Sequence, residues 1–132
     1  PDAYYYQSKV TINGLKGDEK LVTGIVNLNT KTSYKMTQSG KTILYTHDQQ
    51  SENKDFLGMG IMVENKYQPQ TGKTPNVASD ILNTYTMAMN VKNNQPVVFR
   101  FYAAWEKTDL EFKNQKYFKT LLQSEAAKWN TL

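Results

Sequence analysis

The residue best suited to proton transfer in this chain is its only histidine, His47. It lies at the end of a predicted strand, directly before a run of polar residues, 48–55. A histidine can act as a general acid near neutral pH when a carboxylate serves as its partner base. Glu52 and Glu106 could fill that role, so the candidate catalytic residues are His47, Glu52 and Glu106. The alternative is an exposed or hydrogen-bonded histidine with no catalytic part.

A second group of residues could bind a sugar. Arg100 is the only arginine, and its planar guanidinium can hold a carboxylate through two hydrogen bonds. It could equally pair with a glutamate or stack on a tyrosine. Aromatic rings can pack on the apolar face of a pyranose. The candidate substrate-binding residues are therefore Tyr45, Arg100, Tyr102 and Trp105.

The sequence lacks the residues that several kinds of chemistry require. The chain has no cysteine, which excludes disulfides, thiolate metal sites and a cysteine nucleophile. A single histidine cannot build a multi-histidine metal site, and the acidic residues between 48 and 55 lack the order of a calcium loop. No phosphate-binding glycine loop and no serine-nucleophile motif occurs. We therefore expect no metal site and no cofactor.

The length and net charge of the chain limit the class of protein to which it can belong. The 132 residues are enough for one domain, and the net charge of +4 comes almost entirely from lysine. Because the lysines are scattered, they indicate a solvated surface, with attraction to an anionic polysaccharide as the alternative and no nucleic-acid partner. No apolar run approaches the roughly 18 residues of a membrane span, so we expect no membrane partner.

Hydrophobic alternation and turn residues predict an all-β fold, an antiparallel β-sandwich with one C-terminal α-helix. The predicted strands are 4–12, 20–28, 34–38, 41–47, 56–63, 84–92 and 95–106. Residues 64–83 read as a long loop with a short turn at 77–82, and such loops are often functional. The helix is predicted at about 114–129, with Asn114 as N-cap and an apolar stripe that docks on the domain.

The strand at 95–106 has two different faces, because side chains alternate along a strand. We expect the apolar face to enter the core and the other face to line a wet, aromatic recess. The first face consists of Val97, Phe99, Phe101, Ala103 and Trp105, and the second of Val98, Arg100, Tyr102, Ala104 and Glu106. Gly58 and Gly60 fall on one face of strand 56–63, which indicates close approach of a backbone, a ring or a ligand.

Two segments together resemble a known family. They are Thr46–Val63, and Val98–Asp109 followed by Phe112, Tyr117–Phe118, Leu121–Leu122 and Glu125–Ala127. They resemble the C-terminal part of an uncharacterised bacterial family with a galactose-mutarotase-like β-supersandwich, found with pectin- and rhamnogalacturonan-degrading enzymes. His47, Trp105 and Glu106 match its pattern.

The resemblance implies a carbohydrate partner. The domain, residues 1–132, would act on or bind acidic, pectin-type polysaccharide, either as an enzyme or as a binding module. The alternative is a structural accessory domain that packs against a glycan-degrading partner. Members are longer and exported, which implies a periplasmic or cell-surface protein of which this chain is a C-terminal fragment. The missing N-terminal part would then be a further partner.

Overall fold

A computed structural model describes residues 4–26, 32–49, 54–74 and 84–129. These ranges contain eight strands and one helix, α1 (Gln115–Lys128). The strands are β1 (Tyr5–Val10), β2 (Lys20–Val26), β3 (Tyr34–Gln38), β4 (Lys41–Asp48), β5 (Leu57–Glu64), β6 (Gln70–Lys73), β7 (Thr84–Asn90) and β8 (Val97–Trp105). Short 3₁₀ turns occupy Asn65–Tyr67 and Leu110–Lys113. All seven strands predicted from the sequence are confirmed.

The strands form two sheets. The larger sheet has the order β1-β8-β5-β4-β3, and the smaller sheet has the order β2-β7-β6. Every neighbouring pair runs antiparallel. The predicted antiparallel β-sandwich with one C-terminal helix is therefore confirmed. Membership of a larger supersandwich stays a prediction.

One hydrophobic core lies between the two sheets. Ile61 and Val63 of β5 face Met87 and Met89 of β7, and all four side chains are fully buried. Val97, at the start of β8, joins the same cluster. Alternate residues of a strand point to the same face, so the period-two pattern of these strands places their apolar residues inward.

A second core lies on the other face of the five-stranded sheet, beneath α1. Phe118, Leu122 and Ala126 of the helix are buried there against Tyr45 and Tyr102 of the sheet. The expected docking of the apolar helix stripe is confirmed. Because both faces of this sheet are covered, seven of the eight residues of β4 are buried.

Two glycines of β5 allow the helix to approach the sheet. A Cβ atom added at Gly58 would lie 2.6 Å from Cδ2 of Phe118, and one at Gly60 would lie 3.3 Å from Cδ2 of Leu122. The expected close approach is thus made by a ring and a leucine of α1. No other residue type leaves this space beside the strand.

The helix begins and ends close to its predicted bounds. The Asn114 side chain accepts a hydrogen bond of 2.8 Å from the backbone N–H of Lys116. This is the N-cap interaction that satisfies a free donor of the first turn. No helix in the described ranges is long and apolar enough to cross a membrane.

The prediction of an uninterrupted loop over 64–83 is wrong in part, because β6 (Gln70–Lys73) pairs with β7. This strand is a four-residue edge strand with almost no apolar side chain. Its pattern therefore gave no period-two signal, and the neighbouring Pro69 and Gly72 indicated a loop. The predicted turn at 77–82 lies outside the described residues.

The prediction of a solvated aromatic recess on β8 is also wrong. Tyr102 is 0% exposed and Ala104 is buried, because α1 covers this face. On the opposite face the core between the sheets includes Val97 and Phe99, with Phe101 at its margin. Beyond that point Trp105 is 41% exposed, against the prediction that it is buried.

Candidate functional site

His47 lies beneath the 3₁₀ turn at Leu110–Lys113, which precedes α1. Its side chain is 8% exposed and stacks against the rings of Phe56 and Phe118, at centroid distances of 5.3 Å and 6.3 Å. Its Nε2 lies 2.5 Å from the carbonyl oxygen of Phe112. A carbonyl can only accept, so Nε2 carries the proton and donates it. His47 therefore ties β4 to the 3₁₀ turn.

Glu106, directly after β8, likewise connects separate segments of the chain. Its Oε1 accepts a 2.6 Å hydrogen bond from the backbone N–H of Phe56, and its Oε2 lies 3.6 Å from Nζ of Lys113. The structure contains no hydrogen bond between His47 and Glu106. Glu52, the other candidate base, lies outside the described residues. The catalytic pairing of His47 with either glutamate therefore stays a prediction.

Arg100 is held between two aromatic rings. Its guanidinium carbon lies 4.2 Å from the ring centroid of Tyr5 and 4.2 Å from that of Trp129. Its Nε donates to Oε1 of Gln7 at 2.9 Å, and its Nη1 donates to the hydroxyl of Tyr102 at 3.3 Å. Of the alternatives open for this arginine, aromatic stacking is the one observed. The stack fixes the C-terminal end of the helix to the sheet.

The other candidate sugar-binding residues do not share one open surface. Tyr45 and Tyr102 are buried under the helix, and burial is the main cause that raises the pKa of each phenol. Tyr45 also stacks on Tyr34 at 5.1 Å. Trp105 lies on the opposite face of the sheet and is partly exposed. A sugar contact by Trp105 stays a prediction.

A cleft of about 440 Å³ among the described residues was not predicted from the sequence. We call it the first cleft. One wall follows β5 and consists of Lys66, Tyr67 and Gln68; the other connects β7 to β8 and consists of Asn90, Lys92, Gln95, Pro96 and Val97. The only sequence signal was the long loop predicted at 64–83, which contains Lys66, Tyr67 and Gln68 but no motif.

A hydrogen bond joins the two walls of the first cleft, and a second one anchors Asn90 to β2. Nδ2 of Asn90 donates to Oε1 of Gln68 at 2.5 Å, and Nζ of Lys20 donates to Oδ1 of Asn90. Nζ of Lys66 lies 5.3 Å from the ring centroid of Tyr67 and 3.9 Å from a carboxylate oxygen of Glu64. Hydrogen bonding thus positions the amide groups of Gln68 and Asn90, and Lys66 lies near a carboxylate and a ring.

A family model spans almost the whole chain, with residues 1–131 matched to the domain of unknown function DUF4861. The chain belongs to the DUF4861 family. Neither the curated proteins nor the solved structures contain a match. The chemistry available to this DUF4861 domain is that of its own residues in the first cleft.

That chemistry favours an anionic, hydroxyl-rich ligand. The ammonium groups of Lys66 and Lys92 can donate to a carboxylate, and amides can both donate to and accept from hydroxyls. Neither wall of the cleft contains Asp or Glu. No group of three or more His, Asp or Glu in the described ranges could hold a metal ion.

Proposed function

We propose that this DUF4861 domain binds acidic, pectin-type polysaccharide fragments in the first cleft. The observation that carries the proposal is the composition of the walls, which combine two lysines, three side-chain amides and one phenol without a carboxylate. A uronate unit presents a carboxylate, several hydroxyls and an apolar ring face. Ammonium groups, amides and an aromatic ring are the complementary groups.

The shape of the cleft supports the same proposal. Its volume of about 440 Å³ lies within the range of about 300–1,000 Å³ found for small-molecule sites. The bond between Asn90 and Gln68 holds the two walls together before a ligand arrives. Preorganised groups lose less conformational entropy on binding, which favours affinity.

An acidic sugar fits these residues better than a nucleic acid. Arg100, the only arginine, is already stacked on two rings. Single-stranded nucleic acids are usually bound by several aromatic platforms, whereas Tyr67 is the only ring in the walls of this cleft. The resemblance to proteins found with pectin-degrading enzymes supports the same substrate class and an exported location.

Isothermal titration calorimetry with oligogalacturonate tests the proposal. Lys92→Gln removes one ammonium group and should weaken binding roughly fivefold, which corresponds to about 1 kcal/mol for an exposed charge pair. Lys116→Gln, on an exposed turn of α1, is the matched control and should leave affinity unchanged. Fully methyl-esterified oligomers should bind much more weakly, because they lack the carboxylates.

Three results would contradict this function. They are the absence of binding to any acidic oligosaccharide, equal loss in the Lys92→Gln and Lys116→Gln variants, and equal affinity for single-stranded DNA of the same charge. The proposal concerns binding alone. A hydrolytic or epimerase-like role for His47 stays an untested prediction, because Glu52 lies outside the described residues.

An exposed aromatic face favours a second function, that of an accessory domain packed against a glycan-degrading enzyme. Tyr6 is 75% exposed and lies opposite Phe101 in the β1–β8 pair, so it shares a face with Ala103 and Trp105. Exposed apolar patches often mark protein contacts. The partner enzyme should protect Trp105 from acrylamide quenching of its fluorescence; unchanged quenching at saturating partner would exclude this contact.

A further inference from the structure

A second cleft lies between the edges of the two sheets. Its volume is about 290 Å³. It is lined by Ser33, Lys35 and Leu44 from the five-stranded sheet, and by Thr71, Gly72, Lys73 and Tyr85 from the three-stranded sheet. Because β3 and β6 are the last strands of their sheets, this second cleft opens along the edge between the two layers.

The segment that contains β6 connects the two clefts. Gln68 lines the first cleft, whereas Thr71 and Lys73 line the second. An extended chain rises about 3.3 Å per residue, so these positions lie roughly 10–17 Å apart along the edge. The separation is too large for one sugar unit to span and suits several consecutive units of a polymer.

Both clefts have the same chemical character. Each contains two lysines and no Asp or Glu. In the part of the chain that the structure describes, neither Lys35 nor Lys92 forms an ion pair, and Lys73 instead places its Nζ 5.7 Å from the ring centroid of Tyr85. Of the four lysines, Lys66 lies near the carboxylate of Glu64, and the positive charges of the other three raise the local potential and attract a polyanion.

We propose that an acidic polysaccharide chain lies lengthwise along the β6 edge and occupies both clefts at once. The inference rests on the proposed function and names its substrate as a polymer rather than a single sugar or a dimer. Two linked contacts act as one bivalent contact, because binding at the first cleft raises the effective concentration of the chain at the second. Affinity should therefore depend on chain length.

Lysines on edge strands also have a structural use, since they prevent edge-to-edge pairing with another molecule. The two explanations differ in what they predict. If the lysines serve only solubility, their removal promotes self-association and leaves polysaccharide affinity unchanged. If they bind the polymer, their removal weakens the binding of long chains selectively.

Calorimetry with oligogalacturonates of two lengths tests the inference on the complete chain. A long oligomer of about ten units should bind wild-type protein at least tenfold more tightly than a trimer. The double variant Lys35→Gln/Lys73→Gln should reduce the affinity for the long oligomer to that for the trimer, while trimer affinity stays unchanged. Lys35→Arg/Lys73→Arg keeps the charges and should retain the dependence on length.

The outcomes separate the inference from the proposed function. If wild-type protein binds the trimer and the long oligomer equally, or if the double variant behaves as wild type, the polymer inference is wrong and the single-cleft function survives. If neither oligomer binds, both are wrong. Should the double variant self-associate, Lys35→Glu keeps the edge charged and must still weaken the long oligomer selectively for the inference to stand.

Discussion

Replacing Gly58 with alanine tests directly whether the helix seals the outer face of the five-stranded sheet. The new Cβ atom would lie 2.6 Å from Cδ2 of Phe118 and 2.7 Å from two further atoms of the same ring. Carbon atoms prefer a separation of about 3.5–4.0 Å, so the ring must move by roughly 1 Å. Phe118 is fully buried and contacts other rings, which leaves it little room.

The expected loss of stability follows from two opposing effects. Overpacking a well-filled core typically costs about 1–3 kcal/mol. Alanine in place of glycine in a strand recovers about 0.5–1 kcal/mol, because the unfolded chain has less backbone freedom to lose. The net change in the free energy of unfolding should be a loss of about 1–2 kcal/mol, which lowers the melting temperature by about 4–8 °C for a domain of this size.

Urea denaturation followed by circular dichroism measures this change, with Gly60→Ala as the matched control. A Cβ atom at Gly60 would meet the flexible end of Leu122 at 3.3 Å, so its loss should be smaller by about 1 kcal/mol. Adding Phe118→Leu to Gly58→Ala should cost less than the sum of the two single losses. A Gly58→Ala variant as stable as wild type would refute the packing described for α1.

Three further predictions concern other residues. Arg100→Lys should lower stability by about 1–2 kcal/mol in the same denaturation assay, because lysine cannot replace a planar guanidinium between two rings; an unchanged midpoint would contradict that role. The carboxylates of Glu111 and Asp109 raise the pKa of Tyr117 from 10.0 to about 12, and its hydroxyl donates to Oδ2 of Asp109 at 3.2 Å. The stability that the folded protein gains from these interactions of the protonated Tyr117 hydroxyl is fully present below pH 10 and is lost as the pH rises through about 12. Ultraviolet titration should show one fewer late-titrating phenol in Tyr117→Phe than in wild type, in which Tyr45 and Tyr102 also titrate late; a titration identical to wild type would contradict the assignment. Acrylamide should quench Trp105, 41% exposed, far more than the second tryptophan, 6% exposed; equal quenching would contradict the placement of both, and quenching that oligogalacturonate reduces would restore Trp105 as a sugar contact.

Local signals predicted most of the elements. Alternation in segments such as 84–92 and the N-cap at Asn114 depend on neighbouring residues, so the sequence alone indicated them correctly. β6 was missed because a short polar edge strand has no apolar period. For the candidate site, the sequence correctly indicated that His47 can donate a hydrogen bond and that Arg100 can stack on an aromatic ring. Their partners, Phe112 and Trp129, come from distant segments, so the sequence did not identify them.

The first cleft also could not be predicted from local sequence patterns. Its walls come from residues 66–68 and 90–97, which are separated by more than twenty positions and share no motif. The pairing of β6 with β7 and that of β5 with β8 bring these walls together. A sequence pattern reports what each residue prefers, whereas a cleft depends on which distant residues meet.

The amino-acid sequence by itself determined seven of the eight strands, the helix and the opposite character of the two faces of β8, because alternation is a property of the local backbone. Tertiary structure alone decided which face became dry. The apolar stripe of α1 needed a surface to cover, and the glycines at 58 and 60 let it settle on the face that carries Tyr102. The core between the sheets ends near Phe101, which leaves Trp105 exposed on the face that looked more apolar.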